Sequence, residues 1–362
     1  MNKRWWPIHS DDEIAAVERV LRSGRTNYYT GEEGQTFEHE WAAYTGAQYA
    51  LTCSNGTTAL ECAIHALQLY AGTEILVPCR TFMATASAVV NMGHRVVLAD
   101  IGEDMNVTVE TLEARRTQST RAVIVVHYAG LPCDIEAICV WARKHNLAVV
   151  EDCAHAHGAR VGGKHVGTFG DVGCFSMCVG KIMSTGGEGG MVITNSTELN
   201  GRMAAYRDHG RYQLVGSQDM TQFEYSVREF GSNLRLTEMQ SAIGRVQLRK
   251  LDGWVARRRE IGHMYDKAFG WSVVQPGHAL YMYTGMIDDR DRVLAALNEA
   301  GVPARLNGCP NLYGEPVFAE MPRYECSVAD RIGARTLGLP CYPTMADAEV
   351  DAVCEQVRAV LG

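Results

Sequence analysis

Between residues 74 and 195, short apolar β-branched runs alternate with helical patterns, and this rhythm constrains the 362-residue chain more than any other feature. Runs of this kind suit strands buried on both faces, and helices between them make the crossovers of a parallel sheet. The clearest strands are expected at residues 74–78, 95–100, 122–127 and 148–152. Between the last two, Ile135, Ile138, Cys139 and Ala142 recur at the spacing of one helix face, which ends near His145 and Asn146. The expected fold is α/β, a mostly parallel central sheet covered by helices on both faces.

Residues 236–269 have helical composition without proline, followed by a strand-like run at 280–286 and helices at about 290–300 and 347–361. A boundary is therefore expected near residue 250, with a large domain at 1–250 and a smaller C-terminal α/β domain at 251–362. The polar, glycine-bearing stretch at 215–222 reads as a loop within the large domain. A chain of this length buries a core without disulfides or a structural metal.

The 34 basic and 42 acidic residues are interspersed and give a net charge of −8, so no positive stripe invites a polyanion and nucleic acid is not an expected partner. Runs such as Arg115-Arg116 and Arg257-Arg258-Arg259 read as solvated helix faces. The twelve cysteines are scattered through apolar segments, a pattern that fits a reducing cytoplasm. No apolar export segment precedes Asp11-Asp12-Glu13, and runs such as 122–126 are too short to span a bilayer, so a cytoplasmic protein is expected.

Three segments carry candidate chemistry. Ser54-Asn55-Gly56-Thr57-Thr58 precedes Leu60, Ala63, Ile64 and Leu67 at helical spacing. Small residues opening a helix present free amides at its positive end, either as a phosphate seat or as an ordinary N-cap. Glu151-Asp152 closes an apolar strand, where an acid points either into a ligand crevice or into a structural ion pair. Lys181 follows an apolar strand and precedes Gly186, Gly187, Gly189 and Gly190, so little bulk surrounds it and a planar ligand can approach, as at a Schiff-base lysine. The Walker A order is absent, and no Gly-x-Gly-x-x-Gly marks a nicotinamide site. Cys153, His155 and His157 lack a matched ligand pair at zinc spacing, so no metal is expected, and Cys174 and Cys178 read as buried small hydrophobes.

Together these segments resemble the DegT/DnrJ/EryC1/StrS family of sugar aminotransferases, which use pyridoxal phosphate on a type I aminotransferase fold. The resemblance rests on Asn55-Gly56-Thr57-x-Ala59-Leu60, Pro78-x-x-Thr81-Phe82-x-Ala84-Thr85 and Glu151-Asp152-Cys153-Ala154-His155-x-x-Gly158. It continues through Phe175-Ser176, Gly187-Glu188-Gly189-Gly190, His209-Gly210 and Asn233-x-Arg235-x-Thr237-Glu238-x-Gln240.

The resemblance implies that Lys181 forms a Schiff base with pyridoxal phosphate and later shuttles the donor's α-proton. It implies that Asp152 pairs with the pyridine nitrogen, Phe82 stacks on the ring and His155 lies near the ring's 3-oxygen. On its own surroundings, Phe82 equally suits a buried helix start. Gly56, Thr57 and Ser176 are implied at the phosphate, with Asn233 reaching it from a neighbouring subunit, so a homodimer with shared sites is expected. Tyr28 and Tyr29 lie in a stretch like the family's N-terminal substrate loop, although a structural turn suits them equally. The segment from Arg305 through Asn307 to Tyr313 departs from the His-Tyr-Pro-Pro-Leu-His type of many relatives, which makes Asn307 and Tyr313 candidate substrate positions. The expected reaction moves an amino group from L-glutamate or L-glutamine to a nucleotide-linked keto-deoxyhexose. A cyclitol aminotransferase, a sugar dehydratase and a non-catalytic sensor are the alternatives.

Overall fold

The computed structural model describes residues 6–213, 225–306, 309–321 and 325–362. Two helices, α1 (Asp11–Ser23) and α2 (Glu33–Thr45), precede β1 (Tyr49–Cys53) and α3 (Gly56–Ala66). Then come β2 (Glu74–Pro78), α4 (Met83–Asn91), β3 (Arg95–Ala99), α5 (Val109–Glu113), β4 (Thr120–Val126), α6 (Ile135–Lys144) and β5 (Ala148–Asp152). A short hairpin, β6 (Arg160–Val161) and β7 (Lys164–His165), leads to β8 (Val172–Ser176), β9 (Gly190–Thr194) and α7 (Thr197–Arg207).

Seven of these strands form one sheet in the order β1-β9-β8-β5-β4-β2-β3. Strands β3, β2, β4, β5 and β8 pair in parallel, whereas β9 runs antiparallel to both β8 and β1. The reversal has a local cause. Residues 177–189 join β8 to β9 without a helix, and a strand that returns beside its predecessor without a crossover runs the other way. The mostly parallel sheet matches the sequence expectation; β1 and the direction of β9 were not anticipated.

Side chains alternate across the sheet as the pleat demands. Ile75, Val77 and Ile124 enter the core under α3 and α4, while Leu76, Val123 and Val125 enter the one that holds Leu112 of α5 and Ile138 of α6. All eight are fully or almost fully buried, each contributing about 1.5–3 kcal/mol of apolar transfer energy.

Beyond α7, a hairpin of β10 (Arg211–Gln213) and β11 (Tyr225–Val227) precedes α8 (Glu238–Leu248) and α9 (Leu251–Phe269). The loop expected at 215–222 lies outside the described residues. The helical stretch expected at 236–269 is two helices, with Thr237 capping α8 through the Gln240 amide. The C-terminal part comprises β12 (Tyr283–Met286), α10 (Arg290–Glu299), β13 (Arg305–Leu306), α11 (Ser327–Gly333), β14 (Thr336–Leu339) and α12 (Asp347–Leu361). Its sheet has the order β12-β14-β13, and its core holds Tyr283, Leu297, Leu337 and Val357. Helix α9 serves both parts: Leu251 and Val255 pack with Phe37 and Trp41, Ile261 and Tyr265 with the three-stranded sheet.

The reading of Arg257-Arg258-Arg259 as a solvated face is corrected by this packing. Arg258 is 2% exposed and donates from Nη1 to the carbonyls of Tyr281 and Cys341. Three consecutive helical residues sweep over half a turn, so on a helix packed along both cores one of them has to point inward. No helix among the described residues is long and apolar enough to cross a membrane.

Candidate active site

The carboxyl ends of β4, β5 and β8 open onto a cavity of about 660 Å³, the place where parallel α/β sheets hold ligands. Asp152, at the end of β5, and Ser176, at the end of β8, line its floor. Asp152 Oδ1 accepts the Ala154 amide at 3.1 Å and Oδ2 accepts the Thr85 hydroxyl at 2.9 Å. Burial raises its pKa above the ordinary aspartate value, against the lowering pull of those two donors and of Lys181.

Helix α3 points its N-terminus into the same cavity. Asn55 caps it by accepting the Thr58 amide at 3.0 Å, while Thr58 Oγ1 accepts the Asn55 amide at 3.2 Å. Such a box is worth about 1 kcal/mol and leaves the next amides to other partners. Those of Gly56 and Thr57 have no protein acceptor among the described residues, so the turn is capped at Asn55 and still has two amides that could receive an anion. A side chain at Gly56 would put Cβ 2.6 Å from Ser176 Cβ, so only glycine lets α3 approach β8 this closely.

Lys181 sits in the loop that turns β8 back into β9. Its backbone carbonyl accepts the Trp6 indole N–H at 2.7 Å, and its Nζ lies 4.8 Å from the centre of the Tyr281 ring. The glycines that follow serve backbone contact first: a Cβ on Gly190 would lie 2.2 Å from the Asn55 carbonyl oxygen. The ring of His155 stacks on that of Tyr281 at 4.5 Å, and its buried Nδ1 has no hydrogen-bond partner among the described residues. Burial, with Lys181 and His157 nearby, holds its pKa well below that of a free histidine, so the ring is neutral.

Phe82 precedes α4 and lines the cavity with 63% of its surface exposed, so it is not a core residue. Cys174 is buried as expected, whereas Cys178 is half-buried and lines the cavity. Thr85, Tyr281 and Cys309 also line it without having been singled out. Thr85 was visible within the quoted motif; Tyr281 and Cys309 are brought in by packing of the C-terminal part and left no local signal.

Four expected positions lie elsewhere in this chain. Tyr28 donates to Glu38 Oε2 at 2.8 Å, and Tyr29 donates to Asp208 beneath Arg211 and Arg235. Both belong to a turn closed by Asn27. Tyr313 donates to Asp330. Asn233 is exposed and bridges Asp208 through its backbone. Asn307 lies outside the described residues. Cys153, with His127 and Glu151, forms a set of possible metal ligands within 4.8 Å of one another, but His127 and Glu151 already hydrogen-bond each other at 3.0 Å.

The cavity gathers two unused amides at a helix N-terminus, a buried carboxylate, an unpartnered imidazole nitrogen and a primary amine. That donor set fits a flat ring carrying a phosphate, a basic ring nitrogen and a carbonyl carbon, which is the chemistry of pyridoxal phosphate. Fold and site together define an aminotransferase that uses this cofactor.

The comparisons agree. The chain belongs to the DegT/DnrJ/EryC1/StrS aminotransferase family, whose model matches residues 7–358. It is 32% identical to a UDP-N-acetyl-3-dehydro-alpha-D-glucosamine 3-aminotransferase from Acidithiobacillus ferrooxidans, over 97% of this chain and 94% of that one. It is 33% identical to a GDP-perosamine synthase from Escherichia coli O157:H7, over 90% and 89% of the two chains. A solved aminotransferase from Psychrobacter cryohalolentis superposes with a TM-score of 0.92 at 36% identity, covering 99% of this chain and 98% of that one.

Proposed function

We propose that the protein moves an amino group from L-glutamate or L-glutamine onto the ketone of a nucleotide-linked keto-deoxyhexose. The observation that carries this reading is the convergence of Lys181 and Asp152 on one cavity, in a family whose similar members include enzymes of UDP- and GDP-linked sugars. Bound pyridoxal phosphate supplies an electron sink for the pair released when the donor's α C–H bond breaks.

The chain's own residues do the rest. Lys181 would hold the cofactor through Nζ, and the same nitrogen is the base that would take the donor's α-proton. When the sugar ketone is aminated the same nitrogen returns a proton. Asp152 would keep the proton on the pyridine nitrogen, and Phe82, which lines the same cavity, would cover one ring face. His155, whose Nδ1 has no hydrogen-bond partner among the described residues, would lie beside the 3-oxygen. The amides of Gly56 and Thr57 and the hydroxyl of Ser176 bind the phosphate.

Asn233 completes the phosphate site from a second copy of the chain, which makes the working form a homodimer. Its exposure and its absence from this chain's own cavity support that assignment. Residues 1–250 carry the cofactor and residues 251–362 supply the substrate side, a division supported by the separate C-terminal core. Twelve free cysteines support a reducing cytoplasm.

The test is conversion of keto-sugar nucleotides to amino sugars, followed by mass spectrometry with each amino donor. Loss of all turnover in Lys181→Ala is expected. Turnover that persists near the wild-type rate would overturn the mechanism, and refusal of every keto-sugar with acceptance of a carbocyclic ketone would move the substrate to that class.

A further inference from the structure

Behind Asp152 stand two buried threonines to which the reaction described above gives no part. Thr85, in the first turn of α4, is 1% exposed, and its Oγ1 lies 2.9 Å from Asp152 Oδ2. Thr81 is 2% exposed, with its Oγ1 3.0 Å from Thr85 Oγ1. An ionised carboxylate only accepts, so the Thr85 proton points at Oδ2 and its lone pair receives the Thr81 proton. The direction of both hydrogen bonds is thereby fixed, and each polarises the next.

The other oxygen, Oδ1, is held by the Ala154 amide at 3.1 Å. One donor on each oxygen restrains the carboxylate, which lines the cavity. We propose that Thr85, backed by Thr81, is a positioning residue that keeps Asp152 ionised and aimed at the ring nitrogen of the cofactor. This rests on the reading of Asp152 given above. Burial works against the ionised form of this carboxyl, so a donor that stabilises it has an effect that an exposed aspartate would not feel. Thr81 precedes Phe82, the residue that caps α4, and its hydroxyl reaches that of Thr85 across the first turn of the helix.

The experiment loads the enzyme with pyridoxal phosphate labelled with 15N in the ring and reads the nitrogen chemical shift, which reports whether that nitrogen holds a proton. Wild type and Thr85→Ser are expected to give the protonated signal. Thr85→Val and Thr85→Ala are expected to move it toward the unprotonated value and to lower kcat about tenfold or more, with donor KM within about twofold. A hydroxyl that only satisfied a buried acceptor would alter stability and leave both the signal and kcat alone, and that result overturns the proposal. The alanine variant retains good helix propensity, so a valine variant that fails to fold does not end the test. Asp152→Asn separates the two readings. If it leaves the signal unchanged, the role of Asp152 is wrong; if it moves the signal while both threonine variants do not, only the threonine relay is wrong.

Discussion

Glu151 and Asp152 are consecutive buried carboxylates on β5 that face opposite sides of the sheet and have their pKa values shifted in opposite directions. Glu151 accepts from His127 Nε2 at 3.0 Å and from the amides of Gly167, Phe169 and Gly170 at 2.7–2.8 Å. Burial works to raise its pKa, but His127 and these amides outweigh it and the net shift is downward. Asp152, with fewer donors, is shifted upward. One strand thus supplies a structural anchor and a reactive group from adjacent positions.

The two acids are expected to separate stability from activity. Glu151→Gln leaves buried donors without a charged acceptor and is expected to cost about 3–5 kcal/mol in a denaturant titration. Asp152→Asn is expected to change stability by less than about 1 kcal/mol and to abolish transamination, because the amide cannot hold the ring proton. Equal effects of both variants on stability would contradict the division.

Stability is expected to fall as pH drops from about 7.5 to 5. His157, His165 and His278 are buried, and desolvation lowers their pKa values to about 3, about 4 and about 4. Between those values and the unfolded value near 6.5 the unfolded chain binds more protons, so stability rises with pH across that window. At pH 5 each histidine accounts for about 2 kcal/mol of lost stability. His165 shows why: the hydrogen-bond network assigns Nε2 as acceptor of the Gly158 amide, which protonation abolishes. Denaturant titrations across pH measure the slope, and His157→Phe, between the edge-on rings of Trp41 and Phe175, is expected to flatten it.

Gly56→Ala should weaken cofactor binding. Its Cβ at 2.6 Å from Ser176 Cβ forces α3 away from β8, at about 1–3 kcal/mol of stability. The displaced amides lose their aim at the phosphate. Fluorescence titration of the cofactor-free protein with pyridoxal phosphate is expected to show affinity down about tenfold or more.

Subunit mixing tests the shared site. Light scattering after size exclusion is expected to show a dimer. Asn233→Ala subunits, weak alone, and Lys181→Ala subunits, inactive alone, are expected to regain activity when mixed, because one mixed site receives both wild-type residues. A fully active monomer would remove Asn233 from the phosphate site.

The sequence by itself determined the parallel strands β2, β3, β4 and β5, the strand ends at Pro78 and Asp152, and the cap at Asn55, because these follow from local periodicity and backbone chemistry. It also placed Lys181 after a strand and Asp152 at the end of another, each within a recognisable run of residues. Tertiary structure decided what periodicity does not encode. The pleat sent Glu151 to His127 and Asp152 to the cavity, although both stood in the same motif. Packing along two cores buried Arg258 and delivered Tyr281 beside Lys181 from a hundred positions away in sequence. The hydroxyls of Tyr28, Tyr29 and Tyr313 were taken by Glu38, Asp208 and Asp330, partners remote enough in sequence that only folding brings them together.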